Sequence, residues 1–280
     1  MPPLSPPALP PRSKLTIDVY AHVRTAAAAA ASAAGKALQE CISRCGEARI
    51  MVGTGNSQLE MIRCLVRERD IDWSKVTAFH LDEYVALPAS HPASFRRWIR
   101  QNFAEIVKPA AVHYIEGDAA DLPAMLDDYG KRLLAGPIHL AFVGIGENGH
   151  IAFNDPHVAD FQDPAVIKRV LLDDVCRQQQ VGEGHFPDLA SVPQEAITVT
   201  CTGLFRAERW ICCVPEGRKA AAVKGSLEGP FGSHCPGTLI CRHPAAALFL
   251  DADSASQLGA GYLQRQCRVH AANGLASVAR

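Results

Sequence analysis

Short apolar runs recur along the chain at Ala48 to Val52, Val76 to His80, Val112 to Ile115, Ile138 to Val143, Ala196 to Thr200, Trp210 to Val214 and Ala246 to Leu250. Each is of strand length and rich in β-branched, aromatic or other apolar residues, which predicts seven strands. Helix-length segments lie between several of them: Ser57 to Glu68, Pro92 to Phe103, Leu122 to Leu134 and Arg218 to Leu227. An alanine-rich stretch from about Tyr20 to Cys45 predicts a long helix ahead of the first strand. Strands that are apolar throughout must be covered on both sides, and alternation with helices supplies the cover. The pattern predicts an α/β protein: a doubly wound, mostly parallel seven-stranded Rossmann-like sheet with helices on both faces. Residues 1–13 read as a disordered, proline-rich arm and 14–280 as a single domain, because neither repeat nor linker interrupts them. Residues 157–193 are the least periodic and predict a lid.

Composition narrows the function more than the fold. The 280 residues carry 28 Lys and Arg against 29 Asp and Glu, a formal charge of −1, so no global field attracts nucleic acid or an anionic membrane. No apolar run has the ~20 residues of a membrane span, and the N-terminus lacks the charged start and apolar centre of a signal peptide, so the expected location is the cytoplasm. The ten cysteines are scattered through apolar segments, and most are expected to be buried free thiols. His234 and Cys235 with Cys241 and His243 could be drawn as zinc ligands, but paired C-x-x-C spacing is absent and no metal is expected.

The segment richest in chemistry is Gly144-Ile145-Gly146-Glu147-Asn148-Gly149-His150-Ile151-Ala152-Phe153-Asn154-Asp155-Pro156, directly after an apolar run. Its glycines match G-x-G-x-x-G, yet they arrive midway along the chain and lead into an Asn-Asp-Pro turn signal instead of a helix that could hold a pyrophosphate. A nucleotide is therefore not expected. His150 with Asp155 across a tight turn can form a histidine oriented by a carboxylate, suited to moving protons. No serine or cysteine sits in a nucleophile elbow.

Three other strand exits carry polar groups. Gly53-Thr54-Gly55-Asn56-Ser57 leads into a helical segment without the Gly-Lys-Ser/Thr ending of a triphosphate loop, which fits a single phosphate. Lys219 stands at another helix start and would add a cation to such a site. Asp82 and Glu83 are adjacent carboxylates after the second strand. Side chains alternate there, so only one can face a cleft, where burial would raise its pKa and make it a base for a C–H acid.

Taken together, Gly53 to Ser57, Phe79-His80-Leu81-Asp82-Glu83-Tyr84-Val85, Leu87-Pro88, His91-Pro92, Gly144 to Pro156, Ala196-Ile197-Thr198-Val199 and Gly217-Arg218-Lys219-Ala220 resemble the glucosamine-6-phosphate deaminase family, in family order and over most of the chain. The resemblance implies an enzyme that isomerises and hydrolytically deaminates an amino-sugar 6-phosphate to a ketose 6-phosphate and ammonia, without metal or organic cofactor. It implies that Asp82 is the base moving a proton between C2 and C1 through an enediol, and that His150 opens the sugar ring. Asp155 would orient His150, Asn148 would stand close to the reacting carbons, and Thr54, Gly55, Asn56, Ser57 and Lys219 would hold the phosphate.

Three positions depart from that family's pattern. Asp155 stands where the deaminases usually carry Glu, Asn148 where many have Asp, and the lid arginine that contacts phosphate aligns near Arg177-Gln178-Gln179-Gln180, so Arg177 or a glutamine would replace it. The related 6-phosphogluconolactonase branch typically carries Asp-Glu-Arg and Thr-x-Ser-Leu-Phe-Pro after its Gly-His. This chain instead has Asp82-Glu83-Tyr84 and Ile151-Ala152-Phe153-Asn154. Related sugar-phosphate-responsive regulators need a DNA-binding module, and the residues before the first strand hold no helix-turn-helix or basic cluster, so the alternatives to the deaminase are lactone hydrolysis of the 6-phosphogluconolactonase type and a non-catalytic sugar-phosphate sensor without DNA binding. The partner implied is a small sugar phosphate, with neither nucleic acid nor membrane. Monomer and homo-oligomer both stay open.

Overall fold

In the computed structural model, which describes residues 9–11, 13 and 15–270, the apolar runs become strands and the periodic segments helices. The strands are β1 Thr16–Tyr20, β2 Ala48–Val52, β3 Val76–His80, β4 Asp82–Tyr84, β5 Ala111–His113, β6 Ile138–Val143, β7 Ile167–Leu171, β8 Glu195–Val199, β9 Ala207–Val214, β10 Ala246–Asp251 and β11 Cys267–Val269. The α-helices are α1 Val23–Cys45, α2 Asn56–Leu65, α3 Phe95–Ile99, α4 Glu105–Val107, α5 Leu122–Leu134, α6 Asp174–Gly182, α7 Cys201–Phe205, α8 Ala220–Glu228 and α9 Ala260–Gln266. A π-helical turn, Arg100–Ala104, joins α3 to α4.

The main sheet has eight strands, all parallel, in the order β11-β1-β10-β9-β6-β2-β3-β5. The chain winds from β2 toward β5, then returns to β6 and builds the other half, so the switch point lies between β2 and β6. That is where a doubly wound sheet leaves a crevice beyond the strand ends. A three-stranded antiparallel sheet, β4-β8-β7, stands apart from the main sheet.

Alternation along the strands assigns the two cores. Ile50, Val52, Ala78, Leu140, Phe142, Ile211, Cys213 and Phe249 face α1 and α2. Met51, Phe79, Ala141, Val143, Trp210, Cys212, Leu248 and Leu250 face the opposite layer with α5, α7 and α8. Alanine suits α1 because Ala27, Ala30, Ala31 and Ala34 are all buried and let α1 and α2 pack together closely. The helix stops at Gly46, whose φ of 79° is left-handed and whose N–H caps the Ile42 carbonyl.

Several expectations are corrected. The main sheet holds eight strands, not seven. The run Ala196 to Thr200 is a strand but belongs to the small sheet, while β1 and β11 extend the main one. Tyr20 does not open the long helix: it ends β1, which pairs with β10, and α1 begins at Val23. Residues 1–8 and 12 of the arm lie outside the described residues. The described remainder is docked, with Pro10 O accepting from Arg242 Nη1 at 3.2 Å and Ser13 N–H donating to Cys241 O at 2.9 Å. The aperiodic segment 157–193, expected to be a lid, contains β7, which pairs antiparallel with β8, and α6. No helix among the described residues is long and apolar enough to cross a membrane.

Candidate active site

Four strand ends converge at the switch point. After β2, Gly53 packs its backbone against β6, and a Cβ there would lie 2.6 Å from the Phe142 carbonyl oxygen, so glycine is required. Thr54, Gly55 and Ser57 follow and line a cleft with Leu81 and Asp82 after β3, Gly144 to Gly146 and His150 after β6, and Lys219 after β9. Phe95, Phe153, Gln179, Gln180 and Glu183 complete the wall. Six of the nine anticipated residues, Thr54, Gly55, Ser57, Asp82, His150 and Lys219, thus face one space.

The paired carboxylates divide as alternation requires. Glu83 is fully buried and turned away from the cleft: it accepts from Ser94 Oγ at 2.8 Å, Arg96 N at 2.9 Å and Phe95 N at 3.2 Å, capping α3. Asp82 takes the cleft side, where Thr54 Oγ1 donates to its Oδ1 at 3.5 Å. Burial foremost, and then the Glu83 charge, push the Asp82 carboxyl up to about 7, against a smaller lowering by Thr54. A carboxylate with that pKa, in a cleft wall, can take a proton from carbon near neutral pH.

The glycines of Gly144 to Gly149 shape a turn around His150. A Cβ on Gly146 would fall 2.1 Å from His150 Nε2, and Gly149 has a φ of 86° that L side chains rarely adopt. Gly146 N–H donates to the His150 carbonyl at 2.9 Å, which folds the loop back on itself. His150 Nδ1 lies 3.0 Å from Asp155 Oδ1. Burial would push Asp155 up, but His150, the Asn148 amide and the Asp173 backbone N–H hold its carboxyl below the usual carboxylate range.

Two residues stand elsewhere than the resemblance implies. Asn148 is behind His150, not at the cleft wall: its Nδ2 donates to Asp155 Oδ1 at 3.1 Å and Asp173 Oδ2 at 3.3 Å, and its Oδ1 accepts from His150 N at 2.9 Å. It braces the histidine loop. Asn56, the first residue of α2, is exposed and donates to the Glu183 carbonyl at 3.1 Å, tying the loop to the end of α6 and not lining the cleft. Arg177 points away as well, paired with Asp174 and donating to Leu189 and Val192 carbonyls. Gln179 and Gln180 line the cleft where Arg177 does not. Gln180 Oε1 accepts from Tyr84 Oη at 2.8 Å, while Gln179 Nε2 donates to Glu183.

The cationic end holds more than Lys219. Arg218 Nη1 lies 3.1 Å and Lys219 Nζ 3.7 Å from Glu183 Oε1. Burial works to raise Glu183, yet His185, Lys219, Arg218 and Gln179 together hold its carboxyl down to about 2. Burial holds Lys219 below the ordinary ammonium range, with Glu183 offsetting part of that effect. Glu183 and Arg218 were not anticipated. Arg218 adjoins Lys219 in sequence and could have been found there; Glu183 carries no local signal.

The cysteines are free thiols. Among the described residues, no cluster of three metal-competent side-chain atoms includes His234, Cys235, Cys241 or His243. His243 stacks on Trp210 and Cys241 Sγ donates to the Ser226 carbonyl, so these side chains serve the core.

The sequence of residues 22–249 matches the family model for glucosamine-6-phosphate isomerases and 6-phosphogluconolactonase. The glucosamine-6-phosphate deaminase of Pseudarthrobacter chlorophenolicus is 33% identical over 230 residues, covering 80% of this chain and 87% of that protein. That of Halothermothrix orenii is 33% identical over 221 residues, covering 74% and 86%. A monomeric glucosamine-6-phosphate deaminase of known structure superposes with a TM-score of 0.79 at 24% identity, covering 86% of this chain and 99% of that one. The 6-phosphogluconolactonase of Trypanosoma brucei gives 0.71 at 17% identity, covering 88% and 100%. The fold is therefore shared with these structures, and the chain belongs to the family of glucosamine-6-phosphate isomerases and 6-phosphogluconolactonases.

Proposed function

We propose that the protein converts glucosamine 6-phosphate and water to fructose 6-phosphate and ammonia. The carrying observation is Asp82, a carboxyl in the cleft wall held near neutrality. Lactone hydrolysis needs no carbon base, whereas moving a proton from C2 to C1 does.

In this reading His150 shuttles the proton that opens the ring, with Asp155 and Asn148 positioning it. The ionised Asp82 then takes the C2 proton, the electrons of that bond form C1=C2, O1 takes the proton that the C2 ammonium gives up to leave an enolamine, and Asp82 returns its proton to C1. Water adds to the resulting C2 iminium and ammonia leaves, so atoms and charge balance. Lys219 and the loop of Thr54, Gly55 and Ser57 hold the phosphate, the backbone N–H groups and hydroxyls serving as donors.

The test is release of ammonia and fructose 6-phosphate from glucosamine 6-phosphate, with galactosamine 6-phosphate and 6-phosphogluconolactone assayed alongside. Turnover of glucosamine 6-phosphate is the expected result. Activity on the lactone alone would place the protein in the other branch of its family, and silence on all three would favour a binding role.

A further inference from the structure

The lid brings an acid into the place an anionic ligand would take. Glu183 Oε1 lies 2.8 Å from Gln179 Nε2, 3.1 Å from Arg218 Nη1 and 3.7 Å from Lys219 Nζ, and Oε2 lies 3.3 Å from His185 Nε2. The side chain is only 6% exposed. The protein's own carboxylate thus neutralises the cationic end of the cleft. Lys219 is 2% exposed, and a buried ammonium without a counterion is costly, so this pairing has a physical reason in the ligand-free protein.

A phosphate dianion reaching Lys219 would meet that carboxylate as a like charge competing for the same donors. The space agrees. The cleft holds about 70 Å³, against the ~300 Å³ at the lower end for small-molecule sites. Glu183 is also placed to move: it is flanked by Gly182 and Gly184, a Cβ at either meets nothing within 4 Å, and Gly184 has a φ of 78°.

We infer that Glu183 occupies the phosphate subsite of the ligand-free protein and is displaced, with its Gly-flanked turn, when a sugar phosphate enters. This rests on the reading of Lys219 as the phosphate end of the proposed active site. Displacement sets a threshold that every phosphate ligand must meet: a bare phosphate must break the Glu183 ion pairs with no sugar contacts to offset them, whereas a sugar phosphate brings its hydroxyl contacts.

Calorimetric titration with inorganic phosphate tests this directly on the full-length protein, on Glu183→Gln and on Glu183→Ala, each checked for folding by circular dichroism. Both variants are expected to bind phosphate on the order of tenfold more tightly than the parent, and Lys219→Ala added to either is expected to abolish that gain. The KM for glucosamine 6-phosphate should fall in parallel. Unchanged or weaker phosphate binding in the folded variants would overturn the inference, as would tight binding that survives Lys219→Ala. Tighter phosphate binding in a protein that turns over no glucosamine 6-phosphate would uphold the role of Glu183 and sink the proposed reaction instead.

Discussion

His150 Nδ1 stands 3.0 Å from Oδ1 of Asp155, a carboxylate with no exposed surface. The contact is made although Asp is one methylene shorter than the Glu usual at this place in the deaminases. The intervening loop is tight: Ile151 bridges to Asn154, Ala152 takes a φ of 51°, and Asn154 Nδ2 is held by the Ile151 and Val199 carbonyls. The loop brings the shorter side chain to the ring.

Asp155→Asn should therefore lower kcat by about 10²-fold with little change in KM, because the amide can turn its NH2 toward Nδ1 and no longer fixes the ring's tautomer and orientation. Steady-state kinetics with glucosamine 6-phosphate checks this. A variant retaining most of its kcat would show that the pair is structural.

Gly146→Ala should cost ~10²-fold in kcat while leaving the fold intact. The added Cβ would fall 2.1 Å from His150 Nε2, so the ring must leave its position. Activity near that of the parent would mean that the ring position seen here is not the one used in turnover.

Asp82 sets a pH dependence with a definite sign. The base acts ionised and its carboxyl is pushed up to about 7, so kcat/KM should fall as pH drops below about 7. Thr54→Val removes a hydrogen bond that lowers that pKa and should move the acid limb to higher pH. Asp82→Asn should lower kcat by ~10²-fold or more. An acid limb that does not respond to Thr54→Val would assign it to another group.

The same residue carries a stability cost. Its folded pKa exceeds the unfolded value of about 3.9, so its contribution is fully present below about pH 4 and is lost as pH rises through about 7. Asp82→Asn should thus gain in Tm over the parent between pH 4 and pH 8, measured by calorimetry across that range. A constant difference would argue that Asp82 is ionised in the fold at low pH.

Lys219→Ala should raise KM roughly tenfold or more and leave kcat less affected, since a phosphate contact persists from ground state to transition state. It also strips Glu183 of one of its cations, so Tm should fall. A large loss of kcat at constant KM would contradict a phosphate role.

The alternation of apolar runs with helical segments was enough to determine the α/β class and the helices on both faces, because strands covered on two sides must be apolar throughout. It also placed Thr54, Asp82, His150 and Lys219 at strand exits, where such a sheet keeps its ligand. Other elements left no such trace. β4 is Asp82-Glu83-Tyr84 and β11 only Cys267 to Val269, too short and too polar to stand out, and they are strands because a distant partner pairs with them. Which polar side chain faces the cleft was likewise a tertiary decision. Asn148 and Asn56 have the right chemistry for a site, but loop closure turns one behind His150 and the other onto the lid. Glu183 meets Lys219 only because α6 folds back over the strand ends, a contact between segments distant in sequence that no local periodicity encodes.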